Sequence, residues 1–485
     1  MKANPMRKFY PLVLLLIFSA SVTQCFAACH AVGPSAAGNG SGSDWSNRMN
    51  KLPGTLQRGD TYYLMDGSYG SYSMNTANSG TTPITVKKAQ SYDFGRSSDG
   101  CSNDISAGWN SGTMGSGQAI FTNFGNNCAT CGYFTLDGNG QSNGVGCGVA
   151  PNLSSGTLDC GFKFTVSSGS SGPLDIGVNA GGSNRTPNWT IRYLEIAGPG
   201  DFATDQNFIW CHGGCDNLLI EHAYWYNSAC DFIKLPWTNS TTVRSSYFKQ
   251  NYSTSTCHGQ MYLSEVNTSN VDFHNNVFQD IQGTGLFVIV TGGRASNYKI
   301  YNNVVFRPSS SSRPGFSNGI WACINAGSTC TNISFVQNDV INYAVDYSGA
   351  LGILDENGGG SYTWENNLFY SNPSSSVGFT LNGSTFTHDH NSWLNSGSPS
   401  SGSGDITITS GASNPFANWA SGNFALVSED TNWGNGATLA QPFNVDMANN
   451  TRPGTDGVWD RGAMQYAGTQ AQAPAPPTAL TALVQ

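Results

Sequence analysis

Four stretches of the chain share one order of polar and apolar positions: NLLIEHAYWYNS from Asn217, TTVRSSYFKQN from Thr241, NVDFHNNVFQDI from Asn270 and NYKIYNNVVFRP from Asn297. A polar residue opens each. A short alternating run follows, then polar residues, then a large apolar side chain. The openings fall 24, 29 and 27 residues apart. NWTIRYLEIAG, NISFVQNDVINY, YTWENNLFYSN and FTHDHNSWLNS extend the series, and second apolar runs such as Phe208-Ile-Trp, Ile233-Lys-Leu, Met261-Tyr-Leu and Ile320-Trp-Ala lie between the units. Period-two alternation marks strands buried on one face. A short strand recurring at a fixed period cannot bury that face alone and must stack on its neighbours. Two or three strands per turn of roughly 25 residues predict an all-β fold, a single-stranded right-handed parallel β-helix.

The same pattern divides the chain. Residues 28–466 are expected to form one solenoid. Asp44 to Leu56 is the one stretch that reads as a helix, and it would cap the open end of the coil, with 45–90 holding cap and first coil. Residues 91–165 are looser, with one clear coil at Tyr133-Phe-Thr-Leu-Asp-Gly. Residues 185–396 are the most regular, and 401–466 close the solenoid, ending in Trp459-Asp-Arg-Gly-Ala-Met. The Ala/Pro-rich residues 467–485 read as a linker or tail.

Residues 1–27 read as a secretory signal: Arg7 and Lys8, an apolar run from Leu12 to Phe18, and Cys25-Phe-Ala as the cleavage site. A lipid anchor on Cys25 is disfavoured by the bulk of Gln24. No later stretch is long and apolar enough to span a membrane as a helix. The expectation is a secreted, monomeric protein. Charged residues make up 11% against about 25% in ordinary domains, while Gly, Ser, Thr and Asn abound, which suits strands and tight turns. The net charge of -9 and the lack of a basic run argue against nucleic-acid partners. No phosphate-cradling Gly motif stands at a strand–helix junction.

Twelve cysteines follow the signal, an even number that predicts disulfides in an exported chain. Cys128 with Cys131, Cys211 with Cys215, and Cys323 with Cys330 are the expected local pairs. Zinc is the alternative for the first two, but no second ligand pair stands at metal spacing.

The Gly-Asp-Thr-Tyr-Tyr-Leu opening from Gly59, the Ile84-Thr-Val-Lys-Lys-Ala segment, the Asn-Asn-x-Phe coils and the Asp-Arg-Gly-Ala close resemble right-handed β-helix proteins of the pectin-lyase-like superfamily. That group includes pectate and alginate lyases, chondroitinase B and polygalacturonases. The resemblance spans about residues 45–466 and implies a fold that hosts several reactions.

Stacking locates the candidate chemistry. Strands in successive coils lie about 4.8 Å apart, so side chains one period apart become neighbours. Asp205, Asp231 and His258 are 26 and 27 residues apart, each just before an apolar run, and are expected at one corner of consecutive coils. Cys230 and Cys257 directly precede two of them and would pair across adjacent coils, with Cys211 and Cys215 as alternative partners. If Ile233, Leu235, Met261, Leu263, Leu286 and Val288 point inward, then Phe232, Lys234, Gln260, Tyr262 and Phe287 point outward. Rings, an amide and a lysine beside a carboxylate corner are the makings of a sugar-binding surface.

Two reactions fit. In β-elimination a base removes the proton α to a uronate carboxyl, and that carboxylate is neutralised by Ca²⁺ or cationic side chains. Lys234 resembles the base lysine of β-helix lyases, and the stretch from Lys234 to Phe248, with Arg244, is similar to chondroitinase B and alginate lyases. The resemblance implies Lys234 as base; stacking and alternation add His258 to assist proton transfer, Asp205 and Asp231 to hold Ca²⁺ or sugar, and Gln260, Tyr262, Phe287 and Arg244 as substrate-binding residues. The following coil, Met261-Tyr-Leu-Ser-Glu, lacks the arginine those enzymes carry there. In inverting hydrolysis one carboxylic acid protonates the leaving oxygen and another carboxylate activates water. Ala203-Thr-Asp, Asp231 and Cys257-His-Gly resemble a thinned polygalacturonase pattern, without its second aspartate or its basic pair. A non-catalytic carbohydrate-binding or adhesin scaffold is the third class. His388 and His390 could share a metal, and Asp355-Glu356 reads as a turn.

Overall fold

The structure, a computed structural model, describes residues 27–467 apart from 127, 129, 141–146, 148–159, 167–171, 178–181, 183–184, 201–206, 229, 253–256, 309–318, 344–351, 399 and 401. The expected signal before residue 27, the tail after 467 and Asp205 lie outside the described residues.

The described chain is a parallel β-helix. A twelve-stranded sheet runs in coil order from Cys29–Val32 to Thr385–Asp389. This is the first ladder. A twenty-stranded sheet combines two more. One coil shows the path: Leu218–Glu221 in the first ladder, Tyr224–Ser228 in the second, Ile233–Lys234 in the third, then Asn239–Arg244 back in the first. Each pairs in parallel with its counterpart one coil on, as Ile220 with Val243, Trp225 with Phe248 and Ile233 with Tyr262. This arrangement fits the right-handed β-helix expected from the repeat.

Inward columns fill the tube. In the third ladder, register stacks Ile209, Ile233, Tyr262, Phe287, Trp321 and Ile353, all at most 1% exposed. Burying such side chains supplies the main stabilising force, at about 25 cal/mol per Å² of apolar surface.

The Asn-Asn units turn the first ladder into the second. Asn275, Asn302 and Asn366 sit at φ 57, 53 and 56, the left-handed region that asparagine tolerates better than most residues. The second members, Asn276, Asn303 and Asn367, and their counterparts Asn338 after Gln337 and Asn391 after His390, are fully buried. Each donates from Nδ2 to the side chain of the next, at 3.0, 2.9, 3.1 and 2.9 Å, and the row ends on Asp405. Each Nδ2 also reaches a backbone carbonyl, as Asn338 to Ile300 O at 2.9 Å. The row thus satisfies polar groups inside the tube that would otherwise cost stability.

The expected cap helix over 44–56 is not formed. Asp44 caps a single 3-10 turn, Trp45–Asn47. Beyond it Met49 N donates to Ala31 O and Met49 O accepts from Gly33 N, at 2.9 and 2.8 Å. Pairing with the first strand takes the amide a helix would need, and Pro53 ends any further turn.

The C-terminal region lies along the outside of the second ladder. Phe416, Trp419, Phe424, Trp433 and Met464 pack on Val304, Phe306, Ile341, Leu368 and Leu394. Arg461 is buried and donates to Ser392 Oγ at 3.0 Å. Gly462 sits against Asp339 so closely that a Cβ would lie 2.0 Å from its carboxylate. The outer face of the second ladder is thereby covered.

Six disulfides join the twelve described cysteines: 29–101, 128–131, 147–160, 211–215, 230–257 and 323–330. The expected local pairs and the inter-coil pair are among them. Such bonds belong to an oxidising compartment. No helix among the described residues is long and apolar enough to cross a membrane.

Candidate functional site

A cleft of about 370 Å³ lies on the outer face of the third ladder. Its corner side is built by Cys230, Asp231, His258 and Gln260, where the second ladder passes into the third. Lys234, Leu263, Val290 and Ile324 line the sheet face, and Glu265, Thr291 and Asn325 the far edge. The cleft therefore gathers Asp231, Lys234, His258 and Gln260 from two successive coils.

Cys230 and Cys257 are bonded with Cα atoms 5.4 Å apart, which locks Asp231 and His258 to neighbouring coils. Asp231 is 1% exposed. Its Oδ1 accepts from Gln260 N at 3.1 Å. Phe232 N donates to Gln260 O, also at 3.1 Å, so Asp231 levels with Gln260 rather than with His258. His258 is exposed on the rim, and its carbonyl accepts from Thr284 N. Gln260 is 3% exposed, and its Oε1 has no hydrogen-bond partner among the described residues.

Lys234 projects outward from its strand. Its Nζ lies 3.0 Å from Glu265 Oε1 and 4.5 Å from the ring centre of Trp210, its register partner one coil below. Trp210 in turn stacks on His212 at 4.1 Å, and His212 Nε2 bonds to Asp175. Trp210 thus contacts both Lys234 and the His212–Asp175 pair.

Several expected ligands lie elsewhere. Tyr262 is fully buried and bonds through its hydroxyl to Tyr298 at 2.9 Å. Phe287 and Phe232 are also fully buried. The outward residues of those coils are instead Leu263 and Val288, in register with Lys234. The reason is local. Each apolar run opens with a corner residue that is also buried: Phe232 before Ile233, Met261 before Tyr262, Leu286 before Phe287. Alternation begins at the second member, so counting from the first inverts the faces. Gln260 is likewise a corner residue rather than an outer-face one.

Arg244 lies on the first ladder, away from the cleft, and bonds Glu221 at 2.7 Å. It belongs to an outer row of alternating charge, Asp137, Arg192, Glu221 and Arg244, brought together by register. That row accounts for it without a sugar. His388 and His390 are separately engaged, by Asp405 and Asp389. Asp355 is buried and holds the backbone N–H groups of Asn357 and Gly358, a turn as expected.

The described residues do not compose a Ca²⁺ site. The one cluster of ligand atoms, Cys230, Asp231 and Cys257, joins a single carboxylate to two disulfide sulfurs. Ca²⁺ takes 6–8 or so oxygens, and the other described side-chain oxygens near that corner are the neutral ones of Asn207, Gln260 and Thr284.

Trp210 and Glu265 were not singled out in the sequence. Glu265 follows Leu263 by two residues and so shares its face. Correct phase in Met261-Tyr-Leu-Ser-Glu would have set it beside Lys234.

No protein-family model matches the chain, and no curated protein matches it. Among solved structures it is similar to pectate lyase Pel9A, at 13% identity over 90% of this chain and 96% of that one, with a TM-score of 0.47. It is also similar to the catalytic unit of a thermostable GH87 alpha-1,3-glucanase from Streptomyces thermodiastaticus strain HF3-3, at 11% identity over 73% of this chain and 64% of that one, TM-score 0.30. A third is the PL6 family alginate lyase AlyGC, at 10% identity over 78% and 54%, TM-score 0.27. At such identities and TM-scores the likeness says nothing of the reaction. The solenoid itself is fixed by this chain's own strand pairings.

Proposed function

We propose that the protein is a secreted carbohydrate-active enzyme that cleaves a uronate-containing polysaccharide by β-elimination in the third-ladder cleft. One observation carries this reading: Lys234 Nζ enters the same cleft as Asp231, His258 and Gln260. Lys234 acts as the base. Glu265, 3.0 Å from it, receives the ammonium proton as bound sugar displaces water from the pair, and the freed amine takes the proton α to the uronate carboxyl. The glycosidic C–O bond then breaks, a carbon–carbon double bond forms, and the leaving oxygen gains a proton from His258 or water. Asp231 and Gln260 hold sugar hydroxyls. No step passes through a metal.

Inverting hydrolysis is the second reading, favoured by Asp231 and Glu265 lining one cleft with His258. A panel of neutral and acidic polysaccharides, with and without chelator, separates the readings. Elimination yields ultraviolet absorbance of unsaturated uronate together with new reducing ends, in both conditions. Reducing ends alone mean hydrolysis. Neither signal, with binding retained, means a scaffold.

A further inference from the structure

We infer that the cleft binds uncharged sugar units on the coils above Lys234, so that its polymer is a heteropolysaccharide with uronate flanked by neutral residues, and not a homopolyuronate. This rests on the reading that places a uronate at Lys234.

The outward column above Lys234 is Leu263, Val288, Ala322 and Leu354, each in register with the next. Leu263, Val288 and Ala322 form a buried apolar cluster outside the tube, with half-buried Val290 and Ile324 packed against it, and Leu263, Val290 and Ile324 line the cleft. Val288 and Ala322 are fully buried, so the apolar surface that the cleft offers is that of Leu263, Val290 and Ile324. A sugar-binding face sets such side chains against the C–H side of a pyranose ring. Thr291 and Asn325 on the edge stand ready for its hydroxyls.

Charge points the same way. The cleft holds two carboxylates, Asp231 and Glu265, against one lysine, which leaves one negative charge. That lysine is already paired. Just beyond the edge Glu356 Oε2 accepts from Asn325 N at 2.8 Å, a third acid. The whole chain carries -9. A homopolyuronate would set a carboxylate at every unit, over Leu, Val and Ile, with no cation among the described lining residues beyond Lys234. An ion moved from water to such a surface loses its hydration without a partner. Neutral units lose nothing comparable, and a single uronate is set at the Lys234–Glu265 pair.

Affinity electrophoresis of the full chain tests this independently of cleavage. Gels contain polygalacturonate or alginate as homopolyuronates, or gellan, in which a uronate is set among neutral sugars. The heteropolymer should retard the protein at a concentration at least tenfold lower. Ile324→Lys, checked for folding by circular dichroism, should narrow that ratio by raising retention on the homopolyuronates. Equal or stronger retention of the wild type by a homopolyuronate overturns the inference, as does retention by neither. The wild-type ratio stands even if the variant fails to fold. Absence of unsaturated product from every polymer would sink elimination while leaving this ratio readable.

Discussion

Lys234 Nζ and Glu265 Oε1 lie 3.0 Å apart across the cleft, held there because Lys234 pairs with Leu263 and Glu265 stands two residues beyond. The pair does little for stability, since the Glu265 side chain is 40% exposed and solvent screens it. Its consequence is positional: a flexible lysine is held at one spot over the cleft floor.

Lys234→Ala should therefore lower kcat by a factor of about 100–10,000, the usual contribution of a positioned base. Lys234→Arg should not restore it, because a guanidinium stays protonated. Glu265→Gln should lower kcat by about tenfold through loss of position and proton acceptor, while thermal unfolding shifts by less than about 1 kcal/mol. Full activity in Lys234→Ala would end the elimination mechanism.

The Cys230–Cys257 bond should matter more for activity than for folding. It closes a separation of 27 residues and stabilises by about 3.5 kcal/mol on loop entropy. It also ties the coil that carries Asp231 to the one that carries His258. In Cys230→Ser/Cys257→Ser, assayed at a temperature where circular dichroism still reports a folded chain, the rate should fall at least tenfold. An unchanged rate there would mean that backbone pairing alone, Phe232 N to Gln260 O, sets the corner.

The buried asparagine row predicts the opposite balance. Asn338 is fully buried and donates to Asn367 Oδ1 and Ile300 O, while its own Oδ1 accepts from Asn303 Nδ2. Asn338→Ala removes the acceptor of both Asn303 N and Asn303 Nδ2 and the donor to Ile300 O, while Asn367 Oδ1 keeps the backbone N–H of residue 338, at about 1–3 kcal/mol for each stranded group. Urea denaturation should show a loss of several kcal/mol, and activity at low temperature should be unaffected. A loss under 1 kcal/mol would mean that water replaces the amide.

The sequence carried the solenoid plainly, because period-two runs at a fixed spacing have one economical packing, and the Cys230–Cys257 pair followed from the same spacing. Phase was harder to read. Met261-Tyr262 and Leu286-Phe287 put two apolar residues in succession, both buried, and nothing in their order says which one begins the alternation. Tyr262 and Phe287 were accordingly expected outside, and Leu263 inside. Arg244 was misplaced for a different reason. A row such as Asp137, Arg192, Glu221 and Arg244 exists only through register between segments up to 55 residues apart. The cap failed because helix propensity over 44–56 gave no warning of the strand that takes Met49.

Acid stability can be traced to His274, which stacks on Tyr301 at 4.8 Å and pairs in register with Arg244. Burial, and then the Arg244 charge, hold its pKa down to about 4 from an ordinary 6.5. The unfolded chain then binds a proton below 6.5 that the folded chain refuses until about 4. Stability from this group is complete above 6.5 and is lost as pH falls through that window. Asp460 works against it. Burial raises its pKa to about 6, so the folded chain binds the extra proton and gains stability as pH falls from 6 towards 3.8. A bare pH titration would mix the two, so the comparison must be between variants. His274→Gln removes the first contribution and leaves the second. By urea denaturation at pH 7 and pH 4.5, the variant should improve relative to wild type by about 2 kcal/mol on acidification, a value reduced from the full shift because the ring is partly exposed. An identical gap at both pH values would mean that His274 takes its proton at the ordinary value in the folded chain.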